Sequence, residues 1–133
     1  MSWRFNPFTS ELDYYESVES AKNAVTTKTD TYSITISDLG KGRIFLMNAA
    51  GDKIFNLPSV AAGDVGSEIT LGKVGAGKLT IQAADSDTIH DSSAGGTIYN
   101  NIAGETYILI RLKLIQTTKW AICGMSGTGW ITT

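Results

Sequence analysis

Three stretches of this 133-residue chain carry residue types able to do chemistry. The first, Gly72-Lys73-Val74-Gly75-Ala76-Gly77-Lys78, meets the first seven positions of the phosphate-loop pattern GxxxxGK[ST]. In that pattern backbone amides cradle phosphates, the lysine meets the terminal phosphate and the hydroxyl holds magnesium. Leu79 stands where the hydroxyl is required, and the LTIQ that follows alternates like a strand, whereas a phosphate loop opens a helix. The stretch therefore reads as a β-hairpin turn, with glycines supplying positive φ between EITLGKV and KLTIQA. The second is the oxygen-rich group Asp85, Asp87, His90 and Asp91, the donor type a hard cation such as calcium takes. It lacks the order of an EF-hand, and acidic residues among serines make self-bonded turns. The third, His90-Asp91-Ser92-Ser93, holds the residue types of a hydrolase at adjacent positions of one loop, where nucleophile, base and orienting acid do not converge. Cys123, inside WAICGM, reads as a small buried hydrophobe. No catalytic residue, no metal and no cofactor is expected, and the chain reads as a non-enzyme.

The elements around these stretches are short strands. TYSITIS (31–37) places Tyr32, Ile34 and Ile36 on one face. DLGKG is turn chemistry, Arg43 to Asn48 a second strand ended by AAGD, and Lys53 to Leu57 a third, closed by Pro58. SSAGG precedes a strand at Thr97 to Tyr99, and NNIAGE precedes TYILIRLKLI. In that last run Ile108, Ile110, Leu112 and Leu114 form the core parity; Tyr107, Leu109, Arg111 and Lys113 form the other, partly exposed or covered by a neighbour. Lys119 to Met125 gives a further strand, and GTGW turns into the final residues. Strands at 8–12-residue intervals with glycine-rich turns predict an all-β fold, a small antiparallel β-sandwich or barrel of jelly-roll type.

All 14 glycines lie at or after Gly40, so composition divides the chain into an extended N-terminal arm, 1–24, and a β-sandwich body, 25–133. The arm carries Trp3, Phe5, Phe8, Leu12, Tyr14 and Tyr15 at spacings that suit neither a helix face nor a clean strand; ESVESAKNA supports one helical turn at most. Rings left in water forgo roughly 1.5–3 kcal/mol each, so the arm is expected to dock, on its own domain or on another protein.

Eleven basic against 13 acidic residues give a formal net charge of -2, which supplies no general attraction to nucleic acid or an anionic membrane. One cysteine excludes an internal disulfide, and a structural zinc site lacks ligands. No run has the length of a signal peptide or a membrane helix, so a soluble compartment is expected.

The opening WRFNPFTSELDYY resembles the N-terminal arm of small structural proteins of tailed bacteriophages, often of the form NPFTGKLDYY; Ser10 stands where that arm often has glycine. Residues 57–91, the strand YILIRL and the close WAICGMSGTGW (Trp120 to Trp130) resemble a β-module of phage fibre and virion-surface proteins. The resemblance implies a virion component without catalytic residues. It implies a short homotrimeric knob or decoration protein, anchored to capsid or tail by Trp3, Phe5, Phe8, Leu12, Tyr14 and Tyr15. Tyr107, Leu109, Arg111 and Trp120 are candidates for the trimer interface. The alternative is a tail-fibre-type module whose loops at Asp85 to Gly96 and Gly124 to Gly129 contact a host-surface glycan or protein.

Overall fold

The computed structural model describes residues 22–133 in full and, before them, the backbone of two strands at residues 2–6 and 11–15. These are β1 (Ser2–Asn6) and β2 (Glu11–Tyr15), paired antiparallel as a ribbon of their own. The extended arm is thus two extended segments that pair with each other. Phe8 and most of the expected helical turn lie outside the described residues.

The body contains β3 (Val25–Lys28), β4 (Tyr32–Ser33), β5 (Ile44–Met47), β6 (Lys53–Asn56), β7 (Glu68–Lys73) and β8 (Leu79–Gln82). After them come β9 (Thr88–Ile89), β10 (Thr97–Asn100), β11 (Ile108–Gln116), β12 (Lys119–Met125) and β13 (Trp130–Thr132). They form a six-stranded sheet, β3-β5-β7-β11-β12-β9, packed on a five-stranded sheet, β13-β10-β8-β6-β4. The described residues contain single 3-10 turns at Ile36–Asp38 and Ala62–Asp64 and no α-helix. The all-β fold expected from the strand spacing is present, as a two-sheet sandwich; the antiparallel pairing expected throughout is not, because β3, β5 and β7, and likewise β4, β6 and β8, pair in parallel.

Strand direction is mixed. The chain changes sheet after β3, β5 and β7, so it returns to each sheet travelling the same way, and β3, β5 and β7 pair in parallel, as do β4, β6 and β8. These six strands make three stacked turns of a flattened coil. Beyond the third turn β11 and β10 reverse direction and cover β7 and β8 antiparallel. Ile36, expected on the strand face with Tyr32 and Ile34, is instead exposed, because the chain leaves β4 and enters a 3-10 turn closed by Asp38. Asp38 accepts from the Thr35 amide, the Tyr32 hydroxyl and Arg43, which accounts for a carboxylate that is nearly buried.

The core lies between the sheets. Phe45, Met47, Ile69, Leu71, Ile110, Leu112, Leu114 and Trp120 come from the six-stranded sheet and face Phe55, Leu57, Leu79, Ile81 and Ile98 of the other. Ile108, Ile110, Leu112 and Leu114 are buried, as their shared parity predicts. Each such side chain contributes roughly 1.5–3 kcal/mol on leaving water.

Candidate functional site

The phosphate-loop pattern is taken apart by the fold. β7 belongs to the six-stranded sheet and β8 to the five-stranded one, so the segment between them crosses the sandwich and is not a hairpin turn. Its glycines do not supply positive φ either. They are glycine because this crossing stacks directly on the preceding one: Val74 and Gly77 donate to the carbonyls of Met47 and Ala49 at 2.9 and 3.0 Å. A Cβ on Gly75 would run into the Ala49 backbone, and one on Gly77 into the Gly51 carbonyl. The amides of Val74, Gly75 and Gly77 are spent on the coil below, and that of Lys78 on Asp52. Lys73 is buried, donating from Nζ to the carbonyls of Ile102 and Glu105 at 2.9 and 2.7 Å, while the Lys78 ammonium sits 4.3 Å from the centre of the Tyr99 ring.

The acidic stretch does not converge on a point. Asp85 accepts from the Ser59 hydroxyl at 2.7 Å, and Asp91 accepts from the Thr132 hydroxyl. Asp87 is buried, with one carboxylate oxygen lacking a partner; burial first, and then the Asp85 charge, push its pKa up. Among the described residues no three His, Cys, Asp or Glu side chains gather to hold a metal ion. Ser92 Oγ accepts the Ile89 amide at 2.9 Å and donates to the Ser93 carbonyl at 3.0 Å, which closes a turn.

Cys123 is exposed, contrary to expectation. A bulge causes this: Arg111 pairs with Gly124 and Leu112 with Ile122, leaving Cys123 as the extra residue. Its sulfur accepts from Arg111 Nε at 3.2 Å, and its carbonyl accepts from Arg111 Nη2 at 3.2 Å. These bonds hold the guanidinium over Gly124, whose position for a Cβ lies 3.6 Å from Nη2.

The outer face of the six-stranded sheet is the one broad surface where the predicted residues meet. One row across it runs Val25, Ile44, Thr70, Arg111, Gly124, and the next includes Leu46, Gly72 and Leu109. An open groove of about 420 Å³ lies over this area, walled by Ile44, Leu109 and Met125, with Arg111, Asn23 and Ser126 supplying polar groups. Tyr107 stands at the start of β11, 81% exposed, with a left-handed φ of 56° that a non-glycine residue seldom adopts. Two of the four residues expected at a trimer interface, Leu109 and Arg111, are therefore on this face, and Tyr107 is exposed just ahead of β11. Trp120 is not among them: it is 1% exposed in the core, because its parity in β12 points inward, and it has no surface to offer a second copy.

The two loops proposed for receptor contact do not form one site. β12 passes from Trp120, beside Ile89, to Met125, opposite Ile110, so the loops sit at opposite ends of that strand, roughly 20 Å apart.

In the ribbon the register sets Trp3 opposite Tyr14 and Phe5 opposite Leu12, so these four positions share one face, while Arg4 and Asp13 are paired on the other. The irregular aromatic spacing becomes regular only once two strands are paired. Among the features that escaped the sequence are β3, whose VTTK is too short and too polar for a period to register, the short strands β9 and β13, and the bonds from Lys73 to the 102–105 loop.

No protein-family profile matches the chain, and neither a curated protein nor a solved structure shows significant similarity to it.

Proposed function

We propose that the chain is a bacteriophage virion structural protein, a short homotrimeric surface knob or decoration protein anchored to the particle by its N-terminal segment. The observation that carries this is the ribbon register, which collects Trp3, Phe5, Leu12 and Tyr14 on one face of an element that, among the described strands, forms a sheet of its own. Among the described residues of the body, both sheets contribute to one continuous hydrophobic core. A face with four large apolar positions is a docking surface by composition, and its partner is a capsid or tail protein. Self-association of the body is supported by the outer face, where Leu109 and Met125 are exposed beside Arg111, and by the exposed Tyr107 just ahead of β11. No nucleic acid, membrane or cofactor takes part.

The test is particle incorporation. Removing residues 1–15 is expected to leave a folded protein that no longer co-purifies with virions; retained incorporation would sink the proposal. One observation favours a second role in host recognition: the groove beside Met125 and Ser126 joins a guanidinium to apolar walls. Binding of the full-length protein to arrayed host glycans, lost in Arg111→Ala, would support it.

A further inference from the structure

The coil of parallel strands is finished at one end and bare at the other. At the far end β11 and β10 cover the third turn, but at the near end β3 and β4 each have a single neighbour among the described residues, β5 and β6. Along β3 the Ala24 and Lys28 carbonyls accept from Ile44 and Asn48, both at 2.8 Å. A parallel ladder alternates, so residues 24, 26 and 28 turn their backbone groups toward β5, while Val25 and Thr27 present theirs to the open edge.

Apart from its shortness and Lys28, this edge carries none of the usual protections of an exposed strand. Natural edges are blunted by proline, by a bulge or by a charge aimed along the edge. Here the residues are Val25, Thr26, Thr27 and Lys28: three are β-branched, Val25 is 58% exposed, and the Lys28 ammonium is drawn back over the Tyr32 ring, 4.0 Å from its centre. The same chain holds a second incomplete element. A two-stranded ribbon is marginal in water and becomes stable when a third strand joins it. Within one chain β1 and β2 remain a sheet of their own.

We infer that the free edge of β3 is the seat for the N-terminal ribbon of a second copy, which adds to the six-stranded sheet by backbone pairing at Val25 and Thr27. The inference rests on the self-association proposed above and adds to its outer-face contact a second one, at the β3 edge. Each copy gives a ribbon and receives one, a heterologous exchange that makes a ring where the rotation between copies closes. Pairing through the backbone edge leaves the Trp3, Phe5, Leu12 and Tyr14 face free for the particle.

The experiment uses the full-length chain. A photo-cross-linking residue at Thr27, in a mixture of ¹⁴N- and ¹⁵N-labelled protein, is expected to join residues 2–15 with mixed isotope labels. Cross-links only between like-labelled segments, or only to segments outside residues 2–15, would overturn the inference. In parallel, Thr27→Pro removes an edge donor that has no partner among the described residues. It is expected to keep the thermal melt of the body and weaken self-association at least tenfold by sedimentation. Unchanged association of a folded Thr27→Pro, or a wild-type chain that stays monomeric at about 100 μM, would also overturn it. If Thr27→Pro fails to fold, the cross-link in the otherwise wild-type chain decides. Virion incorporation is scored separately: a ring that forms and never joins particles refutes the virion role alone.

Discussion

The Lys73 ammonium donates to the backbone carbonyl of Glu105 at 2.7 Å, and the Glu105 carboxylate turns the other way to accept from Asn100, Thr128 and Gly129. One residue thus ties the 101–107 loop to β7 through its backbone and to the β12–β13 turn through its side chain. Lys73→Met keeps the length of the side chain and strands two carbonyls. We expect a loss of about 2–3 kcal/mol in urea unfolding, the scale of hydrogen bonds made by a charged group, and no change in melting with millimolar nucleotide before or after the substitution.

Glu105 predicts an acid limb in stability. The amides of Thr128, then Asn100 and the Gly129 amide, lower its pKa from 4.5 to about 2. A carboxylate held below its unfolded value stabilises the fold fully above about pH 4.5, and that contribution disappears as pH falls toward 2. Melting temperature followed from pH 7 to pH 2 should therefore show a gap between wild type and Glu105→Gln that closes across this window. A constant gap would contradict the assignment.

Asp87 works in the opposite sense. Its pKa is raised by burial and by Asp85, so its contribution is greatest below its unfolded value of 3.8 and is lost as pH rises through the folded value. Asp87→Asn should stabilise the protein at pH 7 by roughly 1–2 kcal/mol, the scale of an unsatisfied buried group, and bring no gain at pH 3. Thermal melts at the two pH values separate these outcomes.

The stacked crossings make Gly77 intolerant of a methyl group. Gly77→Ala should cost about 1–3 kcal/mol by overpacking against the Gly51 and Ala49 backbone. Gly104→Ala, where a Cβ meets nothing within 4 Å, should be near neutral. Equal effects at the two sites would remove stacking as the reason for glycine.

Trp120 and Tyr107 should separate core from surface. Trp120→Ala is expected to cost about 3–5 kcal/mol, as for a large core aromatic, whereas Tyr107→Ala should leave the melt of the body within a degree or two and alter association only.

The sequence by itself determined what depends on near neighbours in the chain. The period of two in β11 sorted Ile108, Ile110, Leu112 and Leu114 from Tyr107, Leu109 and Arg111, because successive side chains of any strand point to opposite faces. The extent of β12, the end of β6 ahead of Pro58 and the missing hydroxyl at Leu79 were legible for the same local reason. Only the tertiary structure decided which sheet each strand joins. β7 and β8 look like a hairpin because a glycine-rich link separates two alternating runs, and the same link serves equally well to cross a sandwich. The choice is made by Met47, Ala49 and Gly51 one coil away, whose backbone takes the hydrogen bonds and the space that a hairpin or a phosphate would have used. The inward turn of Trp120, the exposure of Cys123 at a bulge, and the gathering of Trp3, Phe5, Leu12 and Tyr14 on one face all depend on register against another strand. Register is set by contacts between segments distant in the chain, and no local pattern encodes it.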